Sequence, residues 1–492
     1  MNFQIKSSRY LAAGAAIALA FLWIPAAEAQ PTGAPGATIT VNSLTDGNLI
    51  VFPGDPLPCT LRDAIQAANT NKAVRGCAAG KAPHLVSATP LRIDFIDRIV
   101  FNVGTGTPRI QLRSGLPWIT EEVTIDGATG GATRIEFSGN QILSFGFTVN
   151  GLTVTGTYAT LKSLVVNGFS GHGIALTHLD GDGLVVVTPA KPERPPLDPG
   201  SLPGDPCGPQ AFPADPGQCP PPGGPDDGHS TVGGFSGGGN TVLDCLIGTD
   251  ATGTRAVPNG WGTADTAGVA VLSPGNTIGG AAPGARNVIS GNRGRGVLLD
   301  ERNNHVIGNL IGTGLTGGAL GNQLDGVFVA GGRFANADGE IRGNTIANNS
   351  GDGVDAGYNI ISILSNSIYA NGGLGIERAE AGVTPNDPRG TTSRPPNYPL
   401  LQASAVSIPL GTTVFGQLTQ ISPNPILVEL FYSPSCDPSL HGEGATFLGS
   451  TLVTHPGVGV PFQITFRGLL LRGFFTATAT TANGTSEFSA CL

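Results

Sequence analysis

The chain is poor in charge and in aromatic rings: of its 492 residues 12% are charged, 6% are aromatic and one is methionine. A formal charge of −9 withholds the basic face that nucleic-acid recognition needs, so no nucleic acid is expected as a partner. No Cys-x-x-Cys occurs, which argues against a zinc or redox motif. A Ser-nucleophile motif, a cluster of metal-ligating histidines and a P-loop are missing as well, and Gly457-Val458-Gly459 has no phosphate context. Long apolar runs are absent beyond the first 29 residues, so no transmembrane segment is expected after them.

The N-terminus itself has the pattern of a signal peptide. Lys6 and Arg9 precede an apolar stretch from Leu11 to Ile24, and Ala27-Glu28-Ala29 supplies a small-x-small cleavage site. Residues 1–29 are therefore expected to be removed near Ala29, leaving a secreted or cell-envelope protein. Seven cysteines suit an oxidising compartment. Their positions suggest local pairs, Cys59 with Cys77, Cys207 with Cys219 and Cys436 with Cys491, leaving Cys245 as a buried thiol in the apolar run Val242 to Ile247.

What is abundant is glycine, 75 residues, about twice the usual share. Glycine that widely spread suits a chain that turns sharply many times. From about residue 240 short phrases recur. Asn276-Thr-Ile-Gly, Asn287-Val-Ile-Ser, Asn309-Leu-Ile-Gly, Asn344-Thr-Ile-Ala and the looser Asn366-Ser-Ile-Tyr form one set. Gly268-Val-Ala-Val, Gly296-Val-Leu-Leu, Gly326-Val-Phe-Val and Gly353-Val-Asp form another, spaced by about 27 to 30 residues, as expected of a solenoid coil. Ile247-Gly-Thr-Asp-Ala-Thr-Gly returns as Ile311-Gly-Thr-Gly-Leu-Thr-Gly. Strands this short cannot bury a face alone but can when stacked in register. Asn at each corner is expected both to take the left-handed conformation and to bond its neighbours in ladders.

These patterns predict an all-β protein, a right-handed parallel β-helix over residues 95–395 interrupted by a Pro/Gly-rich loop at 188–239. Further short strands are expected at Ile99-Val-Phe, Ile110-Gln-Leu, Val123-Thr-Ile, Leu152-Thr-Val and Leu161 to Val166. A cap module spans 30–94, with a helix from Leu61 to Asn69 that Thr60 and Asp63 would cap, placed to cover the first coil. After Pro395-Pro396 the strands lengthen, predicting a β-sandwich over 396–492.

Thr38-Ile-Thr-Val-Asn-Ser43 followed by Cys59-Thr-Leu-Arg-Asp-Ala-Ile-Gln-Ala-Ala-Asn69 resembles the N-terminal module named after its Cys-Ser-Leu-Arg-Glu-Ala consensus. The phrases at 287–292 and 247–254 resemble bacterial right-handed β-helix repeat proteins of the pectin-lyase-like superfamily. Ser433-Pro-Ser-Cys-Asp437, Gly442 to Gly449 and Ser486 to Cys491 are similar to that group's C-terminal Ig-like module. The resemblance implies an architecture and no reaction.

Chemistry is sparse. Gly171-His172-Gly173 lacks the Asn-Thr-Asp, Asp-Asp and Arg-x-Lys companions that related hydrolases carry in order, since Asp226-Asp227 falls in the loop. A turn histidine is expected there, and His172 with Asp180 and Asp182 is the one acid–base candidate. Asp300, Asp325, Asp352 and Asp355 lie beside Gly-Val strands and are candidates for an aspartate column holding Ca²⁺, with Arg293, Arg295 and Arg302 near in sequence; no other cofactor is expected. Trp118, Trp261, Tyr358 and Tyr369 are expected mostly to pack inside the stack rather than serve as sugar platforms. The function expected is that of a non-catalytic scaffold for adhesion, ligand binding or envelope association, its partner a polysaccharide or cell-surface ligand. The alternatives are a lyase or hydrolase working on an acidic polysaccharide in a groove along the coils, and a Ca²⁺-stabilised surface protein.

Overall fold

Phrases of two to seven residues find their partners by lying on one another. The computed structural model describes residues 34–47, 57–88, 91–143, 147–178, 237–262, 265–330, 338–379, 381–389, 395–407, 411–468 and 472–492. Three parallel sheets form the stack. Sheet A has nine strands, from Pro35–Val41 to Ser362–Leu364; sheet B has eight, from Arg109–Gln111 to Ser367–Tyr369; sheet C has seven, from Leu152–Val154 to Ile376–Glu377. The chain visits A, B and C in turn. Thr277–Gly279, Val288–Ile289 and Arg295–Leu299 make one coil, and Asn304–Ile307, Leu310–Ile311 and Val327–Val329 the next. This is the right-handed parallel β-helix, the hand that parallel crossovers take.

Register places like on like. In sheet A, Ile39, Ile99, Ile125, Leu161, Val242, Ile278, Val306, Ile341 and Ile363 form a single inward column. In sheet C the column is Leu152, Ile174, Val269, Val297, Val327, Val354 and Ile376. All of these are buried, and each contributes about 1.5–3 kcal/mol by leaving water. The Gly of each Gly-Val phrase serves here for its size. A Cβ on Gly296 would stand 2.5 Å from the Gly326 carbonyl oxygen, and one on Gly326 2.6 Å from that of Gly353. Coil contact, not a left-handed turn, is what this repeat records.

The corners divide two tasks that the sequence had assigned to one asparagine. The left-handed residue comes first, as Gly308 (φ 70°), Gly343 (φ 63°) or Ser365 (φ 51°), and the ladder asparagine follows it. Asn287 Nδ2 donates to Asn309 Oδ1 (3.0 Å), Asn309 to Asn344 (3.1 Å) and Asn344 to Asn366 (2.9 Å). Each Oδ1 also accepts the backbone N–H of the asparagine one coil before it. Cys245 occupies the first rung, its N–H donating to Asn287 Oδ1. A second ladder, Asn259, Asn292, Asn322, Asn349 and Asn371, runs between sheets B and C. Asn276 belongs to neither of these. With Asn240 and Asn304 it forms a third ladder at the turn into sheet A, so one sequence phrase serves two corners.

Both ends of the stack are closed. Helix Leu61–Thr70, with Thr60 as its N-cap, buries Leu61, Ala64, Ile65 and Ala68 against the first coils, and Cys59–Cys77 closes its loop. Strand Pro35–Val41 pairs with Ile96–Phe101, so sheet A begins within the segment expected as a separate cap. At the other end lie two antiparallel sheets, Leu400–Ser407, Gly411–Gln417 and Pro461–Phe466 in one, and Thr446–Val453, Ile426–Ser433, Phe474–Thr481 and Gly484–Thr485 in the other. They share a core of Val414, Val428, Leu430, Ile464, Phe475 and Ala477, and Cys436–Cys491 ties the loop after Ile426–Ser433 to the segment after Gly484–Thr485. The sequence suggests long strands from Thr413 onward; Leu400–Ser407, ahead of them, is an addition. Cys207 and Cys219 lie outside the described residues, and Cys245 is a buried free thiol. No helix among the described residues is long and apolar enough to cross a membrane.

Asn309→Ala strands the buried Asn287 N–H and breaks two rungs at once. The substitution is expected to lower unfolding stability by about 3 kcal/mol, measured from urea midpoints; a loss below about 1 kcal/mol would show that the ladder is not what holds the corner.

Candidate functional site

Sheet C is flanked by the longest connections of the stack, between residues 247 and 267 and between 311 and 327 on one side, and between 177 and 241 on the other. Two residues before each inward Val or Ile, register superposes Asn150, His172, Ala267, Arg295, Asp325, Asp352 and Leu374. Four members of this column, Asn150, His172, Asp325 and Asp352, act as acceptors of backbone N–H groups. His172 N–H donates to Asn150 Oδ1 (2.9 Å), Ala267 N–H to His172 Nδ1 (3.0 Å), Asp352 N–H to Asp325 Oδ1 (2.9 Å) and Leu374 N–H to Asp352 Oδ1 (2.6 Å). The column is thus a fourth ladder, built from mixed residues and interrupted at Ala267 and Arg295.

That wiring bears on chemistry. With Nδ1 accepting, the His172 proton sits on Nε2. Burial pushes its pKa down to about 4 and the nearby Arg295 charge acts the same way, so the ring is neutral at pH 7 with its lone pair engaged. Arg295 stacks over Phe328 at 4.1 Å and lies 3.2 Å from Asp265 and 3.5 Å from Asp325. A guanidinium flanked by two carboxylates, it has no acceptor atom to offer a substrate proton. Asp180 and Asp182 lie outside the described residues.

The four candidate aspartates do not converge. Asp325 and Asp352 share the column, whereas Asp300 follows Leu299 at the far end of a strand, five residues further along in register, or about 16 Å. Asp355 lies within its strand, opposite Phe328. Among the described residues no group of three or more His, Cys, Asp or Glu is placed to hold a metal ion. These residues do not fit a Ca²⁺ cage, which takes six to eight converging oxygens. Three of the four aromatic candidates run against expectation: Trp118 (44%), Trp261 (42%) and Tyr358 (53%) are exposed, because they sit on connections between strands, while Tyr369, within Ser367–Tyr369, is half-buried.

A concave site forms where the last coil meets the C-terminal sheets. Three glutamates from those sheets stand in for the missing next coil. Glu429 accepts from Ser365 N (2.9 Å) and Oγ (2.8 Å), and Glu443 from Asn371 N (3.0 Å) and Nδ2 (3.1 Å), terminating the second ladder. Glu487 accepts from Arg378 N (3.2 Å) and Thr384 N (2.9 Å). Arg378 is fully buried; its Nη2 donates to the Asn359 carbonyl (2.8 Å), while Nε and Nη1 have no hydrogen-bond partner among the described residues. Beside it, burial and the charges of Asp352, Glu487 and Asp355 push Glu377 up to about 8, and burial pushes Glu487 up to about 7. A cavity of about 190 Å³ opens here, walled by Tyr358 and Ala379 of the last coil, Thr384, Pro385, Asn386, Asp387, Pro395, Pro396, Asn397 and Tyr398 of the connector, and Glu487. None of its polar residues stood among the sequence candidates apart from Tyr358.

No family model matches the chain, and no curated protein matches it. Among solved structures it is similar to the pectate lyase Pel9A, at 13% identity over 71% of this chain and 73% of that one, with a TM-score of 0.29. It is also similar to the enzymatically active domain of bacteriophage CBA120 tailspike protein 2, at 10% identity over 80% and 71%, with a TM-score of 0.22. At such values the likeness carries no chemistry over to this chain.

Carboxyls raised in the folded state bind protons that the unfolded chain has released, so their stabilisation is full below about pH 4.5 and is lost as pH rises through about 7 and 8. His172, depressed in the folded state, works oppositely and only below about 6.5. Between pH 6.5 and 8.5 the melting temperature is therefore expected to fall, and Glu377→Gln to flatten that slope; a slope unchanged in the variant would remove Glu377 as its source.

Proposed function

We propose that the chain is an exported β-helix scaffold that binds rather than cleaves, serving adhesion, ligand capture or envelope association. The observation that supports this is the engagement of His172, the acid–base candidate among the described residues: its one ring lone pair is spent on the Ala267 N–H of the next coil, and the metal candidates Asp325 and Asp352 each hold a backbone N–H in the same way. A general base needs a free acceptor within reach of a substrate proton. The two formed disulfides support an oxidising destination, in line with a leader at 1–29. On this reading 30–94 is the N-terminal module of the Cys-Ser-Leu-Arg-Glu-Ala type, 95–395 the β-helix with 188–239 as its loop, and 396–492 an Ig-like sandwich. The work of binding then falls to the connections and the junction, since the sheets are spent on holding the stack together.

Polygalacturonate and alginate, each with and without Ca²⁺, test it by following unsaturated products and reducing ends. No turnover is expected from folded protein. Turnover abolished by His172→Asn or Asp325→Asn, which keep an acceptor for the ladder, would overturn the scaffold in favour of a lyase or hydrolase working along the coils.

A further inference from the structure

We infer that the cavity between the last coil and the C-terminal sheets is a binding site for one ring of a neutral saccharide, stacked on Tyr358 and hydrogen-bonded by Tyr398 and Glu487. This rests on the binding scaffold proposed above and names the ligand class of its concave site.

Size sets the first limit. A volume of 190 Å³ equals about six waters. That is enough for a single sugar ring and well short of the roughly 300 Å³ at which pockets for larger ligands begin. The walls are also cross-bonded. Asn386 and Tyr398 exchange hydrogen bonds, Tyr398 N to Asn386 Oδ1 (2.9 Å) and Asn386 Nδ2 to the Tyr398 carbonyl (2.8 Å). Asn397 and Asp387 do the same, through Asp387 N to Asn397 Oδ1 (2.9 Å) and Asn397 Nδ2 to the Asp387 carbonyl (3.0 Å). These amides hold the connector and are not available to a ligand. The functions left over are the Tyr358 hydroxyl, the Tyr398 hydroxyl, which takes a backbone hydrogen bond from Asn386 and keeps its own O–H to donate, and the remaining lone pairs of Glu487.

Chemistry then selects the ligand. The Tyr358 ring is half exposed at the cavity wall, an apolar face with a polar tip, which suits the C–H face of a sugar. Burial first, and then the Glu487 charge, raises the Tyr398 hydroxyl above its ordinary range, so it stays a donor. Glu487, near 7, both donates and accepts around neutrality, matching hydroxyls that do the same. An anionic ring would meet Glu487 and Asp387 in the wall, with Glu377 and Asp355 behind them. An ammonium would find one wall carboxylate, Asp387, beside a Glu487 shared between its neutral and charged forms, with the buried Arg378 cation next to it. A neutral polyol meets neither penalty.

Saturation-transfer NMR on the full chain tests this, with glucose, galactose, mannose and N-acetylglucosamine as neutral probes, galacturonate as the anionic probe and methylamine as the cationic one. At least one neutral sugar is expected to bind. Its affinity should fall by about tenfold in Tyr358→Ala and about fivefold in Tyr398→Phe, both with unchanged melting. The inference is overturned if no neutral sugar binds, if galacturonate or methylamine binds more tightly than every neutral sugar, or if binding survives undiminished in Tyr358→Ala. Those outcomes leave the scaffold untouched, whereas turnover in the polysaccharide assays would end the scaffold without bearing on the cavity.

Discussion

The structure depends on one constraint: a buried corner must not strand its backbone N–H groups. Each coil bends three times inside a dry stack, and every bend turns peptide groups away from their sheet partners. An asparagine meets this need because one amide both accepts from the residue before it and donates onward, so that a rung is completed only by the next rung. A ladder of this kind propagates and cannot end by itself. That is why the ends of the stack, and not its middle, carry the unusual residues.

Those ends are solved differently. At the start an amphipathic helix needs only to cover apolar surface, and Leu61, Ala64, Ile65 and Ala68 suffice. At the finish the last asparagine still presents donors, and carboxylates from another part of the chain receive them, Glu443 on Asn371 most directly. Burying carboxyls to do so leaves them short of solvation, which raises Glu429, Glu443 and Glu487 together. The described parts of the connector that follows the last coil wall the cavity beside this seam, together with Glu487.

The polar column along sheet C follows the same logic. A histidine between glycines looks like chemistry in a linear chain, yet at His172 the ring nitrogen does what Oδ1 does at Asn150 and Asp325. Position in a ladder, not residue type, sets the role.

The short strands at Ile99, Ile110, Val123 and Leu152, the helix from Leu61, the pairs Cys59–Cys77 and Cys436–Cys491 and the long strands from about Thr413 onward all stand in the sequence as signals, because periodicity and turn residues report on neighbours in the chain; the run from Leu161 to Val166 instead bends at Ser163 and supplies strands to two sheets. The coil length was legible for the same reason, from the spacing of Gly296, Gly326 and Gly353. Partnership across coils was not. Asn276 and Asn287 sit in near-identical phrases yet belong to different ladders, and Asp300 and Asp325 sit beside similar strands yet lie at opposite ends of sheet C. Glu429, Glu443 and Glu487 gave one faint sign, a charge set in an otherwise apolar or small-residue stretch such as Val428-Glu429-Leu430. Their common purpose appears only where the chain returns, 64 to 109 residues on, to the coil they close. The sequence by itself determined the repeat and its architecture, since stacking needs only apolar residues at a fixed period. Tertiary structure alone decided the site, since register and chain return bring together groups that no local pattern connects.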